Sequence, residues 1–266
     1  MNADQILVLY EKEQRREVEY FDVRREVTPK VVRLVSLSET EGEGGVVIYS
    51  QLNEANVEDA IREQIAYFES IGHDFEWKVY DHDTPADLKG RLLAHGFEAE
   101  EPDAIVALDL QEAPPVLLSP VTADVRRITD PEAISDVKNV EEQVWGEDFT
   151  DLARRLARQL REDAEHLSVY VAYVDGLAAS TAWIVFHERG QFASLWGGST
   201  LAEQRGRGLY TALVAVRTQE ALRRGVRFLT VDASPMSRPI LEKYGFQLLT
   251  YAHACKWRVK RPQEPA

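Results

Sequence analysis

The chain has 266 residues, of which 44% are hydrophobic and 29% are charged, and its formal net charge is −14 at pH 7. This length suits two domains, and the composition is ordinary for a protein that folds around a hydrophobic core. The acidic balance argues against sequence-independent binding to nucleic acid and against binding to an anionic membrane surface, since both require a basic surface.

The single cysteine and the N-terminal segment narrow the possibilities further. Cys255 has no partner for an internal disulfide, and one thiolate cannot form a zinc site of several cysteines. The apolar run at residues 6–10 is followed by Glu11-Lys12-Glu13 and is too short for a signal-peptide core or a membrane span. We therefore expect a cytoplasmic protein without a metal site.

The N-terminal half begins with a charged segment, residues 11–25, which is typical of a solvated helix face with i,i+4 ion pairs. Asn56 is a candidate cap for a helix that ends at Gly72, and a second helix ends at Gly96. One face of the first helix carries Val57, Ile61, Ile65, Phe68 and Ile71. The predicted strands of this half are 46–48, 75–80 and 104–110.

A domain boundary is predicted at the Pro114-Pro115 pair, because proline continues neither the interior of a strand nor that of a helix. Pro120 extends the stiff segment. We expect one domain over residues 1–112, a linker over 113–120 and a second domain over 121–266.

The C-terminal half alternates between strands and helices in the order β-α-α-β-β-β-α-β-α-β, which predicts an α/β fold with a mixed sheet. Pro131 suits the first position of the first helix, Thr150 is a candidate cap for the second, and Gly225 suits the end of the third. The predicted strands are 125–128, 167–174, 178–187, 191–197, 226–232 and 248–259. The predicted helices are 129–144, 151–163, 209–224 and 237–244.

The two halves share a sequence order. In each, a helix ends at a glycine, a strand and a short helix follow, and a Gly-Phe pair precedes the next strand. The pairs are Gly96-Phe97 and Gly245-Phe246. This similarity predicts a degenerate tandem repeat, and two unrelated α/β units are the alternative.

A loop with the sequence Gln204-Arg205-Gly206-Arg207-Gly208-Leu209 joins a predicted strand to a predicted helix. The first N–H groups of a helix are unpaired and lie at the positive end of its dipole. The glycines allow close approach of a phosphate to the backbone, and the two arginines add charge and forked donors. The loop therefore predicts a pyrophosphate site. Two other phosphate-binding motifs do not fit this loop. It contains no Gly-Lys-Ser/Thr, which a Walker loop requires, and Thr211 stands where a dinucleotide-binding fingerprint has its third glycine.

This loop, its flanking strand and helix, and the ending Glu242-Lys243-Tyr244-Gly245-Phe246 resemble the GNAT acetyltransferase superfamily. The superfamily signature Arg/Gln-x-x-Gly-x-Gly/Ala matches Arg205, Gly208 and, with a departure, Tyr210. The resemblance covers residues 123–259, and more weakly 50–110. It implies a GNAT-like acyl-CoA acyltransferase fold, with a degenerate second copy at the N-terminus that lacks the loop.

The resemblance also implies acetyl-CoA as co-substrate and a direct attack of a neutral amine on the thioester. Gly198, Ser199 and Thr200 match the strand positions whose backbone pairs with the pantetheine arm. The implied cofactor-binding residues are Gly198, Ser199, Thr200, Arg205, Gly206, Arg207, Gly208, Leu209 and Tyr210.

The chain departs from the family pattern on the catalytic side. Leu241 stands where the family usually has the tyrosine that protonates the leaving thiolate. Tyr244 and Ser234 are the candidate replacements, and no general base is assigned. Glu147 and Asp148 lie in the loop that shapes the acceptor site in the family, although a charged loop is usually only solvated.

The remaining aromatic and sulfur-containing residues of this half favour structural roles. Trp183 and Trp196 lie on predicted central strands and are expected in the core, and Cys255 is expected to be buried.

The leading hypothesis is an N-acetyltransferase that acts on a primary amine of a small molecule or peptide, with no nucleic-acid or membrane partner. The alternative is a CoA-binding regulatory or scaffold module without catalysis. The sequence does not specify the acceptor, the acyl chain length or the oligomeric state.

Overall fold

The structure is a computed structural model that describes residues 1–37 and 44–259. The strands in these ranges are β1 (Val23–Val27), β2 (Val31–Ser36), β3 (Gly45–Ser50), β4 (Phe75–Tyr80), β5 (Glu98–Ala99), β6 (Asp103–Asp109), β7 (Asp124–Ile128), β8 (Leu167–Val174), β9 (Leu177–Phe186), β10 (Phe192–Thr200), β11 (Phe228–Ala233) and β12 (Gln247–Trp257). The α-helices are α1 (Ala3–Tyr10), α2 (Val57–Ser70), α3 (Leu88–Ala94), α4 (Pro115–Leu118), α5 (Ile134–Trp145), α6 (Thr150–Glu162), α7 (Leu209–Arg223) and α8 (Arg238–Lys243).

The chain forms two compact units, and each combines parts of the sequence that are far apart. Unit 1 contains Met1 and residues 106–231 and 237–247. Unit 2 contains residues 2–105 and 232–236, together with the described residues from Leu248 onward. The last of the described strands, β12, therefore groups with the N-terminal half.

Unit 2 is a mixed sheet in the order β1-β2-β3-β4-β12, with β5 beside β12. β3 and β4 are parallel, and the other neighbours are antiparallel. Parallel pairing covers only residues 45–47 of β3 and 75–77 of β4. Helix α2 packs its apolar face, including Ile61 and Phe68, on Trp77 and its neighbours in the core.

Arg15 contacts the C-terminal part of β3, beyond the residues that pair with β4. Helix α1 continues into one π-helical segment, Glu11–Arg16, which buries the Arg15 side chain completely. Its Nε donates to the Ile48 carbonyl at 3.0 Å, and its guanidinium pairs with Asp83 at 2.8 Å and Glu11 at 2.7 Å. Such pairing is what a buried charge requires. An i,i+4 ion pair of the predicted kind is therefore present, but the solvated helix face predicted over residues 11–25 is wrong, since Arg15 is buried and residues 23–27 form β1.

Unit 1 is a mixed sheet in the order β7-β8-β9-β10-β11-β6, in which β10 and β11 are parallel. Alternate residues of β8 point to opposite faces, as in any strand. Leu167, Val169 and Val171 pack on α5 and α6. Ser168 and Tyr170 donate hydrogen bonds to Glu220 of α7. Helices α5 and α6 therefore cover one face, and α7 covers the other.

The repeated order predicted from the sequence has matching hydrogen bonds in the two units. Gly72 follows α2 with a φ of 71°, and Gly225 follows α7 with a φ of 75°. In both cases the N–H of the next residue donates a hydrogen bond to a carbonyl in the last turn of the helix. Gly96 and Gly245 do the same after α3 and α8. These are αL caps, which glycine adopts without strain.

Three local details of the structure differ from the sequence-based expectation. Asn56 occupies the predicted N-cap position of α2, but its side chain accepts from the Asn53 N–H at 2.8 Å and makes no capping bond. Thr150 is the first residue of α6, and Asp148 Oδ1 accepts from its N–H at 2.8 Å. The Pro114-Pro115 pair begins the one-turn helix α4, because proline suits a first helical position, and Leu117 is buried there.

No helix in the described ranges is both long and apolar enough to cross a membrane.

Candidate functional site

The loop before α7 presents a row of free backbone donors. Gly206 and Gly208 have φ of 76° and 79°, and Gly208 is the residue that precedes the helix. Within the described residues, the backbone N–H groups of residues 206–211 donate to no protein acceptor. The helix dipole adds positive potential at the same point. This arrangement is an anion-binding site formed by backbone groups.

Two arginines flank these donors. Arg205 donates to the Thr200 carbonyl at 3.3 Å, and Arg207 donates to Gln204 Oε1 at 2.7 Å. Both are exposed, and neither pairs with a carboxylate in the part of the chain that the structure describes. Their charges are therefore available to an anion at the start of α7.

A β-bulge lies in β10 next to this loop. The antiparallel register with β9 shifts between the pair Trp196–Trp183 and the pair Ser199–Thr181. Pairing with β11 stops at Ser194, so β10 is not paired with β11 beyond that residue in the described structure. A strand edge of this kind can pair with an extended ligand.

Two aromatic rings make glycine necessary in the bulge. Gly197 has φ of 58°, and a Cβ there would lie 1.7 Å from the Trp183 ring. A Cβ on Gly198 would lie 2.6 Å from the Tyr210 ring. The Tyr210 side chain, an unusual occupant of the last loop position, thus packs on the bulge while its backbone N–H remains free.

On the α7 face, a buried guanidinium binds the bulge. Arg217 is 2% exposed, and its Nη1 donates to the carbonyls of Trp183 at 3.1 Å and Trp196 at 3.2 Å. Burial lowers the pKa of Arg217 to about 10. Arg217 forms no ion pair among the described residues, so its positive charge is stabilised by the dipoles of these backbone carbonyls.

On the α5 face, a buried carboxylate binds the same bulge from the other side. Glu141 is 2% exposed and accepts hydrogen bonds from Thr181 at 2.6 Å, Ser199 at 2.7 Å and Trp145 at 3.1 Å. Burial raises the pKa of Glu141, and the three hydrogen bonds partly oppose that effect. Sequence reasoning missed this residue. The available signal was a charged residue in the row of apolar positions Ile134 and Val137 on α5.

The predicted strand positions lie together at the bulge. Ser199 contacts Glu141, and the Thr200 hydroxyl lies 2.7 Å from the Ser180 hydroxyl. Leu209 is buried and anchors the start of α7. The roles of these residues in cofactor binding remain predictions.

The acid candidates occupy different surroundings. The Tyr244 hydroxyl lies 3.0 Å from the Thr211 hydroxyl on the first turn of α7, and Leu241 is fully buried. Ser234 is half-buried in the turn after β11 and belongs to unit 2. Glu147 and Asp148 are exposed, and hydrogen bonds from Thr150 lower the pKa of Asp148, which makes it a poor proton acceptor.

The structural-role predictions give mixed results. Trp183 is buried as predicted, but Trp196 is 39% exposed, so its expected place in the core is wrong. Cys255 is fully buried as predicted, and burial raises the pKa of its thiol to about 11.

No protein-family model matches the sequence, and no curated protein matches it. Solved structures do match. A GCN5-related N-acetyltransferase from Kribbella flavida superposes with a TM-score of 0.68 at 16% identity, covering 95% of each chain. A GCN5-related N-acetyltransferase from Sphaerobacter thermophilus gives a TM-score of 0.60 at 15% identity, covering 89% of this chain and 82% of that one.

A tandem GNAT protein from the clavulanic acid biosynthesis pathway also matches over almost the whole length. Its TM-score is 0.60 at 15% identity, with 99% of this chain and 89% of that chain covered. At these identities the likeness establishes the fold. The fold predicted from the loop and its flanking elements is confirmed: the chain has the fold of the GNAT N-acetyltransferases.

Proposed function

We propose that the chain is an acetyltransferase that moves the acetyl group of acetyl-CoA to a primary amine. The observation that carries this proposal is the row of free N–H groups at residues 206–211, which lies at the start of α7 beside the unpaired edge of β10. A pyrophosphate bound to the loop would place the pantetheine arm along that edge. The resemblance to GNAT structures supports the same assignment.

The residues then have defined roles. Arg205, Arg207 and the amides from Gly206 to Thr211 bind the pyrophosphate. Gly198, Ser199 and Thr200 offer backbone groups to the pantetheine arm. The bulge aims an N–H at the thioester oxygen, where negative charge develops in the transition state. The nitrogen of the neutral amine forms a bond to the acyl carbon, the carbon–sulfur bond breaks, and the thiolate leaves with the electron pair. The nitrogen gives up one proton to become a neutral amide, and the thiolate takes up one proton to leave as free CoA.

The part of unit 2 that the structure describes offers no second site of this kind. The amides of Ala55 and Asn56, just before α2, both donate to Asn53 Oδ1, and Arg15 occupies the end of β3. We therefore expect one acetyl-CoA per chain.

Calorimetry with acetyl-CoA and release of free CoA with an amine panel test the proposal. We expect binding at a stoichiometry near one and turnover with at least one amine. Binding without turnover over a broad panel would favour the alternative, a CoA-binding module without catalysis.

Tyr244→Phe is expected to lower kcat by about tenfold without changing the affinity for acetyl-CoA. The tyrosine hydroxyl contacts the Thr211 hydroxyl at 3.0 Å, and Tyr244 lies three residues after Leu241, which stands at the family's usual acid position. The effect falls below the usual 10²–10⁴-fold of general acid catalysis, because a thiol with an ordinary pKa of about 8.5 leaves without much help. Steady-state kinetics of Tyr244→Phe and Ser234→Ala compare the two candidates. A larger loss in Ser234→Ala would transfer the acid role to Ser234.

A further inference from the structure

The carboxylate of Glu141 is buried without a counter-ion. Its contacts are the Thr181 hydroxyl from β9, the Ser199 hydroxyl from β10 and the Trp145 indole from its own helix. No lysine, arginine or histidine pairs with it in residues 1–37 and 44–259. A buried charge normally has a partner of opposite charge, because desolvation of an ion is expensive.

The charge of Glu141 is not needed to hold the bulge. Two hydroxyls and an indole N–H are neutral donors, and a glutamine of the same shape can satisfy them, since hydroxyls also accept hydrogen bonds. A neutral side chain would therefore support the same structure at lower cost. Unlike a glutamine, a carboxyl group can also take up a proton at this point, which suits a ligand that delivers one.

Ser199 connects Glu141 to the strand on which the acetyl group is expected. Its Oγ donates to Glu141 Oε2 at 2.7 Å and accepts from Trp145 Nε1 at 3.1 Å. A hydroxyl oxygen has two acceptor lone pairs, so one remains for an incoming N–H. The Trp145 side chain is 57% exposed, which places the network directly beneath a surface residue.

We propose that Glu141 is the proton acceptor for the attacking amine and acts through the hydroxyl of Ser199. This inference rests on the proposed acetyl transfer. The substrate ammonium gives one proton to Ser199 Oγ, and Ser199 passes its own proton to Glu141 Oε2. The products of the step are a neutral amine, whose lone pair is free to attack, and a neutral carboxylic acid. The acceptor class is a primary alkylamine that is protonated at neutral pH.

The surroundings of Glu141 suit this task. The groups that face Glu141 from α5, β9 and β10 are uncharged. The pKa of its carboxyl therefore depends on burial, on the neutral hydrogen-bond donors around it and on any charge that the ligand brings. Burial raises the pKa of the carboxyl above its ordinary value. A base is most effective when its pKa approaches the working pH.

The test compares Glu141→Gln with Glu142→Gln, a half-buried neighbour that pairs with Lys138 at 3.3 Å. The probes are phenethylamine and spermidine, which are ammonium ions at neutral pH, and hydroxylamine, whose nitrogen is unprotonated there. We expect Glu141→Gln to lower kcat/KM for the two alkylamines by about 100- to 1000-fold at neutral pH. The loss should shrink as the pH rises and the free amine accumulates. Rates with hydroxylamine, and all rates of Glu142→Gln, should stay close to wild type.

Thermal unfolding supplies a second readout. The pKa of Glu141 is higher in the folded chain than in the unfolded chain, so ionisation lowers the free energy of unfolding as the pH rises through the folded pKa. Glu141→Gln has no group that ionises here, so we expect its Tm to exceed that of wild type at neutral pH. At a pH below the unfolded-state pKa of the carboxyl, the two Tm values should be similar. If the carboxylate were needed only for structure, the variant would have the lower Tm at both pH values.

The outcomes separate this inference from the proposed function. A Glu141→Gln chain with wild-type rates on both alkylamines overturns the proton path and leaves acetyl transfer standing. A wild-type chain that uses hydroxylamine but neither alkylamine also overturns the proton path. If the wild-type chain binds no acetyl-CoA, or binds it without turnover of any probe, the proposed function fails and the inference fails with it.

Discussion

Gly208→Val is expected to lower the affinity for acetyl-CoA by about 10²–10⁴-fold. Valine does not adopt the φ of 79° that Gly208 has, so the loop must rearrange and the amides beside it lose their common direction. Each charge-assisted hydrogen bond to a phosphate contributes about 1.5–3 kcal/mol, and two lost bonds give this range. Calorimetric titration with acetyl-CoA measures the change.

Gly225→Val is the matched control at the other end of α7. Gly225 has nearly the same φ, 75°, and at both positions no atom lies within 4 Å of an added Cβ. The two variants should therefore lose similar stability, whereas only Gly208→Val loses the ligand. Equal affinity of the two variants for acetyl-CoA would contradict the assignment of the loop.

Gly197→Ala is expected to lower the free energy of unfolding by about 2–6 kcal/mol. The added methyl group would lie 1.7 Å from the buried Trp183 ring, and φ of 58° disfavours any side chain. Overpacking of this kind contributes about 1–3 kcal/mol, and backbone strain adds about 1–3 kcal/mol. Denaturant unfolding measures the loss.

Gly176→Ala separates the two contributions. Gly176 lies in the turn between β8 and β9 with φ of 80°, and no atom lies within 4 Å of an added Cβ there. Only the backbone strain should appear in this variant. Replacing Trp183 with leucine in the Gly197→Ala background should recover part of the lost stability. A Gly197→Ala chain no less stable than Gly176→Ala would contradict the close packing of the bulge.

The conformation of the loop before α7 was predictable because its signals are local. Glycines at two positions of positive φ, the flanking arginines and the following helix all lie within a few residues, and backbone geometry depends on little else there. The same holds for the helix ends at Gly72 and Gly225, which depend on one left-handed residue each.

The functional role inferred for Glu141 was not predictable, because it depends on contacts that are distant in sequence. Glu141 meets Thr181 and Ser199, which lie 40 and 58 residues away along the chain. Arg15 appeared solvated in a charged segment, and only its contact with Asp83 reveals why it is buried. Trp196 appeared to belong to the core because its strand is central, yet the bulge places it near the surface.

The place of β12 has a consequence for biosynthesis. β12 pairs with β4 inside unit 2, with His253 opposite Val79 and Cys255 opposite Trp77. Since a ribosome makes β4 long before β12, the edge of β4 lacks this partner while the intervening residues are synthesised. An unpaired edge strand invites association with other chains, and pairing over so long a separation is slow. The strands of unit 1 from β7 to β11 are complete by residue 233, before β12 is made. We therefore expect the nascent N-terminal half to be the part that most needs chaperone protection.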